Sequence, residues 1–270
     1  MSQRVELLII DPQVDFCDPQ RGALYVPGAE HDMRRLAEMI RRLWDQIEAI
    51  HVTLDSHHPV HIAHPIFWRD QDGQPPEVFI KITRADVERG VWRAAQTNWQ
   101  SRALDYVRQL ERNGRYELTV WPPHCLIGSP GHAVVPELFS ALRDWEERRF
   151  RPVDYIAKGS NLFTEHFSAV QADVHDPDDP ATHVNKKLIR TLERADVIVV
   201  AGEARTHCVA HTVRDVADHF SEPSLVSKLV LLTDATGDIP GFETRADLFL
   251  RDLTARGMRL TTTAEFSVPM

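Results

Sequence analysis

The chain alternates between short apolar runs and longer stretches with helical periodicity. The apolar runs are rich in β-branched residues and nearly free of charge, which is typical of strands buried on both faces of a parallel sheet. Between them, apolar positions recur every three or four residues, which predicts amphipathic helices. Predicted strands cover residues 5–10, 50–54, 153–157, 195–201, 229–233 and 258–262, with short strands at 78–82 and 118–121, and predicted helices cover about 30–48, 99–110, 136–150, 184–192, 207–217 and 243–255.

This order of elements predicts the fold class. Strands that alternate with helices imply right-handed crossovers, and hence a three-layer α/β/α fold with a mostly parallel central sheet and Rossmann-like topology. No repeat, low-complexity segment or linker divides the sequence, so we expect residues 1–270 to form a single domain. The long polar stretch at about 70–118 is expected to be an elaborated insertion on that domain, because loops of this length often carry function.

Composition narrows the class of protein. The chain has 270 residues, 43% of them hydrophobic and 26% charged, and a formal net charge of −9. That charge argues against a nucleic-acid partner, since phosphate contacts need clustered Lys and Arg. The three cysteines, Cys17, Cys125 and Cys208, are too few and too scattered for a disulfide framework, which favours a reducing compartment. We therefore expect a soluble cytoplasmic protein with no membrane partner.

Four reactive side chains stand where predicted strands end. They are Asp11, Asp55, Lys158 and Cys208. In open parallel sheets, ligands bind outside the carboxyl ends of the strands. The sequence therefore predicts that these side chains lie along one edge of the sheet.

The first candidate chemistry is nucleophilic catalysis at Cys208. This residue lies at a strand-to-helix turn, where free N–H groups and the helix dipole favour a thiolate and can also face an oxyanion. Asp11 could move the protons and Lys158 could stabilise both charges. Taken one by one, each residue also has a structural interpretation: a Cys packed in a tight turn, an Asx-turn at Asp11 and a solvated charge at Lys158.

The second candidate chemistry is metal binding. Asp55 and His57 are two residues apart at a strand end, and His124 follows a Trp-Pro-Pro sequence. A carboxylate with two imidazoles forms an open site for zinc, iron or manganese. His61 is a possible additional ligand, and Cys125 is expected to be a packed thiol. The alternative is a histidine-rich surface turn that binds no metal.

Taken together and in order, these segments resemble the nicotinamidase branch of the isochorismatase-like cysteine hydrolase superfamily. The resemblance rests on residues 9–16, on Asp55-x-His57-x-Pro-x-His61, on Trp121-Pro-Pro-His124-Cys125-x-x-Gly128-Ser-x-Gly131, on 157–159 and on 202–209. It implies an isochorismatase-like fold and a catalytic triad of Asp11, Lys158 and Cys208.

The same resemblance implies the remaining parts of the site. The N–H groups of Ala204 and Cys208 would form the oxyanion hole, and the Glu203–Ala204 peptide would be cis. Phe16 and Trp121 match aromatic positions that sandwich the substrate ring. Asp55, His57 and His124 would hold one divalent metal, zinc first among the candidates, which in this family binds the pyridine nitrogen and waters; His61 would be an additional or supporting ligand. Members of the family are commonly homo-oligomers.

The sequence also departs from the family pattern. Glu203 and Arg205 are charged where smaller or apolar residues are common, and Thr206 replaces a frequent Asp. The aromatic residue that usually follows the Lys has no clear match among Phe163, His166 and Phe167. The 70–118 insertion is longer than in compact members.

These features lead to one functional expectation and two alternatives. We expect a metal-containing amidohydrolase that converts nicotinamide, or a similar heteroaromatic carboxamide, to the acid and ammonia through a thioester. One alternative is hydrolysis of another small amide or carbamoyl compound on the same fold. The other, from a different class, is a catalytically silent member that binds a metal or ligand.

Overall fold

The computed structural model describes residues 3–113 and 116–268. The strands are β1 Val5–Ile10, β2 Ile47–Asp55, β3 Trp68–Arg69, β4 Lys81–Ile82, β5 Arg93–Ala94, β6 Leu118–Thr119, β7 Asp154–Lys158, β8 Val197–Gly202, β9 Leu229–Leu232 and β10 Arg259–Thr261. The α-helices are α1 Val14–Cys17, α2 Ala29–Leu43, α3 Arg84–Glu88, α4 Gln100–Asn113, α5 Pro136–Arg149, α6 Lys186–Leu192, α7 Ala210–His219 and α8 Glu243–Ala255, and a π-helical turn at Arg205–Val209 precedes α7.

The central sheet has six strands in the order β10-β9-β8-β1-β2-β7. Every neighbouring pair in it is parallel. Alternate residues of β1 face opposite layers, as the pleat requires: Leu7 and Ile9 pack with residues of α2 and α5, whereas Leu8 and Ile10 pack with residues of α6, α7 and α8. The predicted three-layer α/β/α fold with a parallel central sheet is therefore confirmed.

Two element boundaries near the N-terminus differ from the prediction. Helix α2 ends at Leu43 and β2 already begins at Ile47, because Ile47 pairs with Val5 in the sheet. The apolar spacing runs on through both elements, so periodicity alone cannot place the boundary. The expected loop after β1 also contains the single turn α1, which is too short to leave a periodic signal.

The insertion carries its own small elements. Between residues 68 and 119, the described chain forms the antiparallel pairs β3-β5 and β4-β6 together with α3 and α4. The predicted strand at 78–82 is reduced to the two residues of β4. A separate apolar cluster holds these elements, and it also includes Ala63 and Trp121. The insertion therefore packs directly beside the motif that contains His124.

No helix within residues 3–113 and 116–268 has the length and apolarity needed to cross a membrane.

The end of β8 passes very close to β1. Gly202 has a φ of +113°, and a Cβ built on it would lie 2.0 Å from the carbonyl oxygen of Ile10. Its register partner in the sheet is Ile10 itself. Because no side chain fits at this position, glycine is what allows β8 to end beside Asp11.

We predict that Gly202→Ala lowers the free energy of unfolding by at least about 3 kcal/mol, because a Cβ cannot fit without separating two central strands. Gly73→Ala is the matched control. Gly73 also has a positive φ, +79°, but a Cβ there meets nothing within 4 Å, so the cost should be only the backbone strain of about 1–2 kcal/mol. Urea unfolding of both variants measures the difference, and equal losses would contradict this explanation.

Candidate active site and metal centre

Three side chains from separate elements meet at the carboxyl edge of the sheet. Asp11 follows β1, Lys158 ends β7 and Cys208 lies in the π-helical turn after β8. The Lys158 Nζ lies 2.8 Å from Asp11 Oδ2 and 3.6 Å from Cys208 Sγ. All three residues are buried, with 5% exposure at most. The structure therefore brings together the acid, the cation and the thiol that the sequence singled out.

Thr53 on β2 completes the surroundings of Asp11. Its hydroxyl donates to Asp11 Oδ1 at 2.5 Å, and its Oγ1 accepts the backbone N–H of Asp11 at 3.0 Å. Asp11 has a φ of +46°, an unusual conformation for a residue other than glycine. Sequence reasoning missed Thr53, and the available signal was a hydroxyl in an otherwise apolar, buried strand.

Burial and charge set the resting protonation of the three groups. Burial lowers the pKa of Lys158, but Asp11 and Asp55 outweigh this effect and hold it well above its ordinary value, so the side chain is an ammonium. Burial raises the pKa of Asp11, opposed by Lys158. Burial also raises the pKa of the Cys208 thiol well above its ordinary value, although Lys158 pulls it down. Burial therefore favours the neutral thiol, whereas Lys158 favours the thiolate that the strand-to-helix turn predicts.

Asp55, His57 and His124 form the second part of the site. Asp55 Oδ2 lies 3.0 Å from His57 Nε2 and 3.3 Å from His124 Nε2. One potential ligand atom from each of the three residues lies within 4.8 Å of the others. The remaining oxygen of Asp55, Oδ1, accepts from Lys158 Nζ at 3.0 Å. Lys158 therefore links this trio to Asp11 and Cys208.

The donor set fits a divalent metal ion. His57 Nδ1 lies 3.0 Å from the carbonyl oxygen of Gly159, and His124 Nδ1 lies 2.8 Å from that of Pro122. A carbonyl oxygen accepts, so each Nδ1 carries a hydrogen and each Nε2 lies beside Asp55 Oδ2. In this orientation the two Nε2 atoms and Asp55 Oδ2 can bind one cation together. Two imidazoles and one carboxylate with open positions suit a first-row divalent ion.

His61 and His64 pack against the trio. The His61 ring centroid lies 4.4 Å from that of His57, its Nδ1 accepts from the Ala63 N–H at 3.2 Å, and its Nε2 faces the Thr164 carbonyl at 3.2 Å. Both of its nitrogens are thus engaged, although it also belongs to a second group of possible ligands with His57 and Glu165. The sequence pattern assigns no role to His64. Its Nε2 has no partner in the described part of the chain, and burial lowers its pKa to about 3, so it keeps a lone pair near the trio.

Aromatic rings enclose the same edge. Phe16 lies 5.4 Å from His124 and Trp121 lies 5.4 Å from His207, between ring centroids. Phe167 lies 5.4 Å from His207 and 6.4 Å from Trp121. Of the three aromatic candidates after Lys158, Phe167 is therefore the one beside Trp121. Phe163 packs instead on Phe67 and Trp99. His166 Nδ1 accepts the backbone N–H of Gly159 at 3.4 Å.

The turn before Cys208 has the features that the resemblance implied and the departures that the sequence showed. The Glu203–Ala204 peptide is cis. Arg205 Nε donates to Asp238 Oδ1 at 2.9 Å, and the Thr206 hydroxyl lies 2.8 Å from His207 Nδ1.

Cys125 is fully buried and its backbone N–H donates to Asp15 at 2.6 Å, as suits a packed thiol.

The solved structures that this chain resembles include nicotinamidases and pyrazinamidases. A yeast nicotinamidase bound to the inhibitor nicotinaldehyde superimposes with a TM-score of 0.65 at 19% identity, covering 96% of this chain and 99% of that one. An Acinetobacter nicotinamidase/pyrazinamidase gives 0.65 at 19% identity over 97% and 98% of the two chains. A pyrazinamidase of Pyrococcus horikoshii in complex with zinc gives 0.56 at 20% identity over 96% and 99%.

The chain has the fold of the nicotinamidases. The resemblance found in the sequence is confirmed at this level, along nearly the whole length of both chains. No protein-family model and no curated protein matches the sequence. At these identities the likeness establishes the fold, and the chemistry has to be argued from the residues of this chain.

We predict that the protein binds one divalent ion per chain and that His124→Ala weakens the binding at least about 100-fold, because it removes one of three ligands. His58→Ala is the matched control, since His58 is exposed beside the trio and its loss should leave affinity unchanged. Elemental analysis measures the number of ions per chain, and competitive titration with Zn²⁺, Fe²⁺ and Mn²⁺ measures the affinity of each variant. A similar loss of metal affinity in the two variants would show that the metal does not bind at the Asp55–His57–His124 trio.

Proposed function

We propose that this protein is a metal-containing cysteine amidohydrolase that converts nicotinamide, or a similar heteroaromatic carboxamide, to the acid and ammonia through a thioester. The observation that carries the proposal is the buried ammonium of Lys158, 2.8 Å from Asp11 and 3.6 Å from the Cys208 sulfur. The shared fold supports it, since the neighbouring structures are of nicotinamidases and pyrazinamidases.

Acylation begins with the Cys208 thiol. Asp11 takes the thiol proton, a role that its raised pKa supports, and the sulfur attacks the carbonyl carbon. The N–H groups of Ala204 and Cys208 receive the negative charge that develops on the oxygen. The C–N bond then breaks while Asp11 returns the proton to the leaving nitrogen, and ammonia departs. Lys158 remains an ammonium throughout and offsets the charges on sulfur and carboxylate in turn.

Deacylation repeats the proton transfers with water. Asp11, again a carboxylate, takes a proton from water as the water oxygen attacks the thioester carbon. The carbon–sulfur bond then breaks, Asp11 gives its proton to the departing sulfur, and the carboxylic acid is released. The free thiol of Cys208 is restored, so one residue serves as base and acid in both halves of the reaction.

Binding and orientation fall to the aromatic and metal-binding residues. We propose that Phe16 and Trp121 hold the substrate ring between them. Asp55, His57 and His124 would hold one divalent ion, zinc first among the candidates and iron or manganese as alternatives. When bound, the ion supplies a Lewis-acid partner for the ring nitrogen and water. The backbone carbonyls on each Nδ1 keep His57 and His124 in the orientation that this requires.

We further propose that the protein works in the cytoplasm as a homo-oligomer and binds a small amide. Residues 1–270 would form one domain, with the 70–118 segment at the entrance of the site. The net charge of −9 supports a small-molecule partner over a nucleic acid. The packing of Trp121 within the apolar cluster of the insertion supports the entrance role. Size-exclusion chromatography with light scattering tests the assembly.

We predict that metal-loaded protein releases ammonia from nicotinamide and pyrazinamide, and that Cys208→Ala reduces the release below detection because no nucleophile remains. Cys17→Ala, also a buried cysteine, is the control and should retain turnover. A panel of aliphatic amides and carbamoyl compounds tests the same-fold alternative. Turnover of the panel but not of the pyridine amide would reassign the substrate. No turnover at all, with metal and free thiol verified, would favour the catalytically silent alternative.

We predict that Asp11→Asn lowers kcat/KM for the amide, which reports the acylation half-reaction, by about 10²–10⁴-fold, because general acid–base transfer contributes that much. The loss should be smaller for the p-nitrophenyl ester of the same acid, whose leaving group departs without a proton. Steady-state rates with both substrates measure the difference. Equal losses on amide and ester would show that Asp11 does not protonate the leaving nitrogen.

A further inference from the structure

Two buried carboxyl groups face each other beneath the turn that leads to Cys208. Glu203 directly follows β8 and precedes Ala204, and its side chain is fully buried. Asp32 lies in the first turn of α2 and is 7% exposed. Neither residue belongs to the triad, to the metal trio or to the aromatic walls, so the proposed chemistry leaves this pair without a role.

The pair joins the turn to the loop after β9. Glu203 Oε2 accepts the N–H of Gly237 at 2.7 Å. On either side of Glu203, the Gly202 N–H donates to the Ala235 carbonyl at 2.9 Å and the Arg205 N–H donates to the Gly237 carbonyl at 2.7 Å. The Glu203 side chain therefore closes a bridge whose two backbone contacts flank Ala204.

The two carboxyls meet at Gly237. A Cβ built on this glycine would lie 3.3 Å from Glu203 Oε2 and 3.5 Å from Asp32 Oδ2. The other oxygen of Glu203, Oε1, has no hydrogen-bond donor in the described part of the chain, while Asp32 Oδ1 is held by the Arg35 guanidinium. A buried carboxyl group that lacks a donor on one oxygen and lies next to a second carboxyl favours a proton shared between the two groups.

Burial and mutual repulsion both favour that shared proton. Burial raises the pKa of Glu203 well above its ordinary value, and the charge of Asp32 adds to the effect. Burial also raises the pKa of Asp32, opposed by its contacts with Glu203 and Arg35. A pair of this kind titrates as a unit. The other titratable or charged groups that face the pair are Arg35 on α2, Asp234, Arg205 with its partner Asp238, and the Cys17 thiol on α1.

We propose that the proton-sharing Glu203–Asp32 pair is a positioning device that holds the 202–205 turn against the 235–237 loop and so aims the Ala204 N–H at the oxyanion. The inference rests on the proposed amidohydrolase function, because the oxyanion hole is part of it. Glu203 touches neither substrate nor metal and acts through Ala204. Loss of the shared proton at alkaline pH places two negative charges in contact, which loosens the bridge and lowers kcat.

The first experiment compares the pH dependence of kcat in the wild type and in Glu203→Gln. The amide keeps the acceptor for Gly237 and replaces the shared proton with a permanent N–H donor to Asp32. We expect kcat within about threefold of the wild type at neutral pH and an alkaline decline that begins at least one pH unit higher. Glu38→Gln is the charge-matched control, because Glu38 is exposed on α2, the helix that contains Asp32. It should leave the pH profile unchanged. An alkaline decline at the same pH in Glu203→Gln as in the wild type would overturn the proposal.

The second experiment removes the bridge. Glu203→Leu should lower kcat at least 10-fold with KM within threefold, because an oxyanion contact is made chiefly in the transition state. Rates are expressed per folded protein, with the folded fraction measured by circular dichroism. Unchanged kcat in folded Glu203→Leu contradicts the positioning role, and if this variant does not fold, the comparison with Glu203→Gln decides.

A third measurement separates this proposal from the proposed function. If the wild type hydrolyses no amide substrate, the proposed function fails. Backbone hydrogen exchange then tests by itself whether the Glu203–Asp32 pair holds the turn against the loop. We expect the protection factors of residues 203–209 and 234–239 to fall with rising pH in the wild type and to stay constant in Glu203→Gln. Protection that changes equally in both proteins overturns the inference whether or not the enzyme is active.

Discussion

The site depends on one buried cation held between two carboxylates. The Lys158 ammonium contacts Asp11 at 2.8 Å and Asp55 at 3.0 Å, with all three groups withdrawn from water. Removing Lys158 would leave two buried carboxylates without a cation, which is far more costly than losing an exposed ion pair. Because Asp11 faces Cys208 and Asp55 faces the two histidines, Lys158 links the thiol and the Asp55–His57–His124 trio electrostatically.

The sheet order explains why these groups can meet. Strand β1 lies in the middle, with β8 on one side and β2 followed by β7 on the other. Since all these strands run parallel, their carboxyl ends share one edge, and residues 11, 55, 158 and 208 arrive there from distant parts of the chain. The arrangement requires β8 to end almost in contact with β1, which only Gly202 permits. Backbone geometry at one glycine therefore supports the placement of the thiol.

Glu203, Arg205 and Thr206, which depart from the family pattern, each have a hydrogen-bond or ion-pair partner in the fold. Arg205 forms an ion pair with Asp238, the Thr206 hydroxyl accepts the Ile239 N–H at 3.3 Å, and Glu203 accepts the Gly237 N–H at 2.7 Å. All three partners lie in the loop after β9. Glu203, Arg205 and Thr206 thus all contact the same loop, against which the turn before Cys208 packs.

The sequence alone determined the elements of the sheet and the chemical types at its edge. Apolar runs that end in Asp11, Asp55, Lys158 and Gly202 specify parallel strands and their polar ends, because strand burial and strand termination are local properties. It could not place the end of α2, the aromatic partner Phe167, the hydroxyl of Thr53 or the degree to which Cys208 is buried. Those depend on which side chains approach through space and on how completely water is excluded. The pairing of Glu203 with Asp32, far apart in the sequence, is of the same kind: only the folded chain brings two acids together and favours a proton shared between them.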